Sequence, residues 1–286
     1  MTILQANGLT KRFGAQVVLN ALDWQIDEPR VIGLLGRNGA GKSTLIRCLL
    51  GLTPHDGGAV ALYGHEVSAP PPQVLARIGY VPQSFDLFPW MKVQQYLRFH
   101  AAFYASWQPD LVSGLLGRWE VDAAKKIGEL SQGQRQKLAI IRAIAPDPDL
   151  LLLDEPVASL DPQTRRLFLE ELLKLTRRPG KTVIFSTHIT TDLERSDAEI
   201  ALLKGGKIQF SLTQDSLRER VRRVRLIGGA PDPHFRHPGL LRVGEGGTEW
   251  IVEQLPPQEV ETLAARFGST VEAAPMSLED IFIEIG

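Results

Sequence analysis

Through residues 1–29 apolar and polar positions alternate in brief stretches broken by turn residues, a pattern that predicts short strands. Residues 31–35, VIGLL, are continuously apolar, as expected of a strand buried on both faces. That run enters a glycine-rich turn and then the helical stretch STLIRCLLGL. Gly57 to Val67 alternates small, apolar and turn residues as a hairpin does, and YVPQ at 80–83 ends another short strand. From Phe85 to Glu129 the period becomes helical and aromatics grow dense (Phe88, Trp90, Tyr96, Phe99, Phe103, Tyr104, Trp107, Trp119), which predicts a helical insertion at about 85–130.

QRQKLAIIRAIA then reads as a helix stopped by Pro146 and Pro148. Two apolar strands follow, LLLLD and TVIFST, separated by the helical pattern TRRLFLEELLKLTRR. Strands alternating with helices imply an α/β fold with a largely parallel sheet. After IALLKGGKIQF the chain reaches LRERVRRVRLIGG and the Pro/Gly-rich GGAPDPHFRHPG, so a boundary falls near 215–220. The segment beyond it predicts a strand, a hairpin around GEGG, a helix, a strand and a last helix, with Ser277 and Asp280 as a helix-start capping pair. The arginines of 218–225 are expected on a solvated strand face. No internal repeat or low-complexity tract interrupts this pattern.

The 286 residues suggest two domains, here 1–215 and a small 216–286 unit. With 32 Lys+Arg against 33 Asp+Glu the net charge is −1, which argues against broad phosphate neutralisation and so against a nucleic-acid partner. Cys48 is the one cysteine, which excludes an internal disulfide and suits a reducing compartment. No apolar run approaches the ~18–20 residues a membrane span needs, and MTILQANGLTKRFG lacks the pattern of a secretory signal. A soluble, cytoplasmic chain is expected, and any membrane process it served would need separate spanning subunits.

GRNGAGKST at 36–44 satisfies G-x-x-x-x-G-K-[ST] between a buried strand and an apolar helix. Glycines let backbone N–H groups approach phosphate oxygens, and the helix that follows turns its positive end toward them. Gly36, Arg37, Asn38, Gly39, Ala40 and Gly41 form the turn. Lys42 supplies a charge for the outer phosphates, the Ser43 hydroxyl can ligate Mg²⁺, and Thr44 follows in the first helical turn. This predicts a nucleoside triphosphate site. The absence of N-K-x-D weakens a guanine-specific reading.

LLLLDEP at 150–156 is a buried strand ending in two carboxylates, with Asp154 placed for Mg²⁺ and Glu155 for polarising a water. LSQGQ at 130–134, Gln83, SLD at 159–161 and His188 after a strand complete the set. A lone histidine is ordinarily structural or solvated, but its position after TVIFST singles His188 out.

In this order the motifs resemble those of the ATP-binding cassette (ABC) ATPases, over about residues 3–215. The resemblance implies a P-loop NTPase core, an antiparallel β subdomain and a helical insertion, joined here to a small α+β C-terminal domain. It implies ATP and Mg²⁺ as ligands, with Phe13 stacking on adenine and Val18 packing nearby. Gln83 would touch Mg²⁺ and report to a membrane partner, and His188 would contact the γ-phosphate. Ser131, Gly133 and Gln134 would face the nucleotide of a second, head-to-tail copy, with Asp161 organising that interface. The usual LSGGQ is here LSQGQ, so Gln132 would be strained if its position required positive φ.

The expected function is the ATP-hydrolysing subunit of a membrane transporter, peripheral on the inner face of the membrane and docked on transmembrane permease subunits through the FPWMKVQQYLRF region. SLEDIFIEI looks like the ending of exporter cassettes for drugs, lipids or polysaccharides, favouring export. Two other readings stand beside it: a soluble ABC ATPase acting on DNA or ribosomes, and a non-hydrolysing regulatory subunit. No heptad run supports the former, and the presence of Lys42, Glu155 and His188 speaks against the latter.

Overall fold

The computed structural model describes residues 2–84, 87–157, 165, 169, 172–174, 178–194, 196, 198–228, 232 and 234–285. The region around 1–29 forms an antiparallel pair, Leu4–Phe13 with Gln16–Ile26, rather than short strands. The pairing slips between Ala6 and Leu9, between Leu9 and Lys11 and between Lys11 and Arg12. Each slip puts the apolar alternation out of phase, so a continuous strand looks fragmented in sequence. Gly57–Leu62 and the short His65–Glu66 strand complete a four-stranded sheet, the latter two being the expected hairpin.

The second sheet has six strands in the order Lys207–Leu212, Glu199–Lys204, Val31–Leu35, Thr182–Thr187, Leu150–Leu153, Ile78–Val81. All neighbours are parallel except Lys207–Leu212, which returns antiparallel along Glu199–Lys204. Leu150–Leu153 and Thr182–Thr187 are buried at every position, as parallel strands covered on both faces must be. Gly33 lies where a Cβ would sit 2.0 Å from Leu193 Cδ2, so a glycine lets the Thr190–Glu194 helix pack directly on the central strand. Leu35 pairs with Thr187 and Leu153 with Phe185. The chain therefore leaves three adjacent strands at Gly36, Asp154 and His188, on the carboxyl edge where open α/β sheets carry their ligand sites.

The helical insertion contains Val93–Ala101, Pro109–Arg118 and a 3-10 turn at Ile127–Glu129. Tyr96, Leu97, Val112, Leu115, Trp119 and Ile127 share one core with Leu151, Leu153 and Phe185 of the parallel sheet. The other aromatics divide: Phe88, Trp90, Phe99 and Phe103 stay exposed. The helix Gln132–Ile144 follows. Its cap is reciprocal, with the Gln134 N–H donating to Ser131 Oγ at 3.2 Å and the Ser131 N–H to Gln134 Oε1 at 3.1 Å.

The third sheet is antiparallel, in the order Leu240–Val243, Glu249–Glu253, Val221–Ile227, Thr270–Pro275, with the helix Pro257–Phe267 packed against it. Its own core centres on Trp250, whose ring stacks on Phe235 at 4.2 Å. The arginines here are not simply solvated. Arg220 pairs with Glu253 at 2.9 Å, Arg225 with Glu249 at 2.6 Å and Arg223 with Glu284 at 3.3 Å, because the neighbouring strand and the Leu278–Ile285 helix present carboxylates to them. Ser277 caps that last helix by accepting the Asp280 N–H at 3.0 Å, while its hydroxyl donates to Asp280 Oδ2 at 2.8 Å. Val221, Ile251, Met276, Leu278 and Ile281 lie in the main core with Phe185, so the third sheet and the parallel sheet share buried surface.

Candidate functional site

The turn after Val31–Leu35 is shaped by its glycines. Gly39 and Gly41 adopt φ of +82° and +100°, conformations that a side chain would strain. A Cβ on Gly41 would in addition lie 2.8 Å from Val18 Cγ1. Gly41 leads into the helix Lys42–Leu49 without any side-chain cap, so first-turn N–H groups are free of capping side chains, as an anion-binding helix start requires. The buried Lys42 Nζ donates to the Gly36 and Arg37 carbonyls at 2.8 and 3.3 Å.

A cleft of about 470 Å³ opens beside this turn. It is lined by Phe13 and Val18, by Asn38, Gly39, Gly41, Lys42, Ser43 and Thr44 of the turn and helix start, and by Gln83, Glu155 and His188. Phe13 is 54% exposed, a flat apolar ring at a strand end with Lys11 Nζ 5.2 Å from its centroid. Gly36, Arg37 and Ala40 complete the turn behind these residues; Ala40 N–H closes it onto the Arg37 carbonyl at 3.1 Å.

Glu155 organises the far wall. His188 Nδ1 lies 2.9 Å from its Oε2 and Lys42 Nζ 3.3 Å from its Oε1. A carboxylate only accepts, so His188 Nδ1 carries the hydrogen and Nε2 remains available. Glu155 itself has φ +49°, a left-handed conformation that costs a non-glycine residue about 1 kcal/mol or more. Asp154 is buried next to it, and its Oδ1 accepts the Ser186 hydroxyl at 2.7 Å. Among the described residues no group of three or more His, Cys, Asp or Glu gathers as a self-sufficient metal site. Of the three residues expected around Mg²⁺, Ser43 and Gln83 line the cleft, whereas Asp154 does not line it and its Oδ1 accepts the Ser186 hydroxyl. The oxygen donors of such a sparse set would suit a Mg²⁺ whose other ligands are phosphates and water. The glycine cradle, the uncapped helix start and the buried lysine fit a nucleoside triphosphate in the same cleft.

Ser131, Gly133 and Gln134 do not line this cleft. They begin the helix Gln132–Ile144, where Ser131 is exposed and Gln134 Nε2 donates to the Glu120 carbonyl at 2.9 Å. Gln132 is the first helical residue and is not among the residues with positive φ, so the substitution at this motif position brings no backbone strain. Asp161 lies outside the described residues. Two residues of this region escaped the motif reading. Ser186 is fully buried between Asp154 and Glu155. Asp192, whose acidity burial weakens, accepts the Thr187 hydroxyl at 3.0 Å and so braces the turn that carries His188. The signal for Ser186 was a polar residue directly after the apolar run VIF at 183–185.

Residues 19–158 match the family described as ABC transporter. The chain is 39% identical to the Nod factor export ATP-binding protein I of Cupriavidus pinatubonensis, over 99% of this chain and 90% of that protein. It is 33% identical to the protein of the same name from Rhizobium sp. (strain N33), over 97% of this chain and 95% of that protein. Among solved structures, an ATP-binding subunit of an ABC transporter superposes with a TM-score of 0.66 at 28% identity, covering 76% of this chain and 92% of that one. A dimeric ATP-binding cassette in a post-hydrolysis state with ADP and phosphate gives a TM-score of 0.64 at 25% identity, covering 73% of this chain and 98% of that one.

Proposed function

The chain belongs to the ABC transporter family as an ATP-binding cassette, and from that premise we propose that it hydrolyses Mg²⁺-ATP to drive export through separate permease subunits. The observation that carries this reading is the contact of Glu155 with both Lys42 and His188 at the wall of the cleft. Lys42 would hold the outer phosphates, with Ser43, Gln83 and Asp154 around Mg²⁺. Glu155 would polarise the attacking water and His188 Nε2 would meet the γ-phosphate. Phe13 and Val18 would take the adenine.

Ser131, Gly133 and Gln134 sit away from the cleft of their own chain, which supports their meeting the nucleotide of a second, head-to-tail copy; Asp161 is assigned to that interface by motif alone. ATP would then favour the closed dimer by linkage, since it binds that form preferentially. Export is taken from the names of the relatives. No described helix is long and apolar enough to cross a membrane, so crossing is assigned to the permease, with this subunit on its cytoplasmic face. Residues 1–215 would form the cassette and 216–286 an accessory domain. The test is ATP turnover by the purified protein together with sizing of Glu155→Gln. An ATP-dependent dimer of that variant supports the reading; ATP hydrolysis undiminished by the substitution contradicts it.

A further inference from the structure

Ser186 occupies a position where a hydroxyl needs a reason. It lies at 0% exposure inside Thr182–Thr187, a strand buried along its whole length in the middle of the parallel sheet. A hydroxyl there is tolerated only if its donor and acceptor capacities are met. Both are met by the two acidic positions of the neighbouring strand end. The Ser186 hydroxyl donates to Asp154 Oδ1 at 2.7 Å, and its oxygen accepts the Glu155 N–H at 2.8 Å. One oxygen thereby fixes a carboxylate orientation and a backbone turn at the same time.

That turn is the strained one. Glu155 sits at φ +49°, and the Ser186 bond holds its amide there. Two residues further along the same strand end, His188 reaches the Glu155 carboxylate at 2.9 Å. The segment Ser186–His188 therefore grips Glu155 by its backbone at one point and by its side chain at another. Ser186 does not itself line the cleft; it reaches the lining through the Glu155 amide.

We propose that Ser186 is a positioning residue for hydrolysis, setting the Glu155 carboxylate and the Asp154 carboxylate in register through a single bridging hydroxyl. The proposal rests on the reading of Glu155 as the group that polarises water. Removing the hydroxyl would leave the phosphate cradle at Gly36–Thr44 untouched and loosen only the acidic wall. The effect falls chiefly on kcat, because Lys42 and the glycine turn that hold the phosphates are unchanged.

The experiment compares wild type, Ser186→Ala, Ser186→Thr and Glu155→Gln in the full chain, by steady-state ATPase kinetics and by hydrogen exchange of the segment holding the Glu155 amide. Ser186→Ala is expected to lower kcat about 10- to 100-fold with KM for ATP within about twofold. The Glu155 amide should exchange about tenfold faster or more once its acceptor is gone, and Ser186→Thr should restore both readouts. Turnover within about twofold of wild type in Ser186→Ala, unchanged exchange at Glu155, or equal losses in the Ala and Thr variants would each overturn the proposal. Failure of the broader reading looks different: wild type would be inactive, or Glu155→Gln would match it.

Discussion

Lys42 Nζ and Glu155 Oε1 form an ion pair at 3.3 Å with both side chains almost wholly buried. The two charges differ in how well they are otherwise held. Lys42 keeps two backbone carbonyls if Glu155 is neutralised, whereas the Glu155 carboxylate without Lys42 keeps, among the described residues, the His188 ring and stays a buried charge. Substitutions at the two ends are therefore not equivalent.

Glu155→Gln is expected to abolish turnover, by about 10²–10⁴-fold, the loss typical of a positioned base. ATP binding persists because the glycine turn is unchanged and Lys42, though it loses its carboxylate partner, keeps its two backbone carbonyls. Steady-state ATPase rates beside equilibrium binding of a fluorescent ATP analogue check both halves.

Lys42→Ala should act on the other quantity. It removes the one lysine that lines the cleft among the described residues, and a lost charge-assisted contact lowers nucleotide affinity by about tenfold or more. Unchanged ATP affinity in titration calorimetry would contradict the cradle assignment.

Trp90→Ala tests the proposal that a permease docks on the FPWMKVQQYLRF region. Trp90 is 69% exposed, and its ring is tilted by 40° against that of Phe88 at a centroid distance of 5.4 Å. Its removal should change stability by no more than about 0.5 kcal/mol yet abolish co-purification with the permease. Intact co-purification would move the docking face elsewhere.

Trp250→Ala should destabilise the third sheet by about 3–5 kcal/mol, the usual cost of deleting a large buried ring. Trp250 is fully buried on Phe235, and its Nε1 has no hydrogen-bond partner among the described residues. Trp250→Phe therefore loses volume but no hydrogen bond, and urea unfolding should show the smaller effect.

His100 gives a pH dependence. Burial, with the Arg142 charge adding to it, pushes the imidazole down from its ordinary 6.5 to about 4. The native state thus keeps His100 neutral where the unfolded chain already binds a proton. The stability this contributes is complete above about pH 6.5 and is lost as pH falls toward about 4. In His100→Phe the slope of stability against pH across that window should flatten, measured by urea unfolding at several pH values.

The cleft residues were legible because each motif is local. GRNGAGKST sets its own turn, and a D-E pair after LLLL must fall at the end of a buried strand. Ser186 and Asp192 were not, because their partners depend on which strands and turns meet in space. Leu153 pairs with Phe185 only once the parallel order is known, and that register alone brings Ser186 to Asp154. The long Leu4–Ile26 hairpin was hidden by slips in its pairing, and the arginines of 220–225 by carboxylates that arrive from Glu249, Glu253 and Glu284. The shared core of Val221, Ile251, Met276 and Ile281 with the parallel sheet was likewise invisible to a reading by segments.

That shared core bears on how the protein comes into being. During synthesis the parallel sheet is complete once Leu212 has emerged, yet Met276, Leu278 and Ile281, which cover part of its helical layer, are still to be made. At about 5–20 residues per second the nascent cassette waits some seconds with apolar surface unprotected. The last helix, together with Val221 and Ile251 of the third sheet, is thus the covering over this part of the core, and a chain cut before them would carry that surface uncovered.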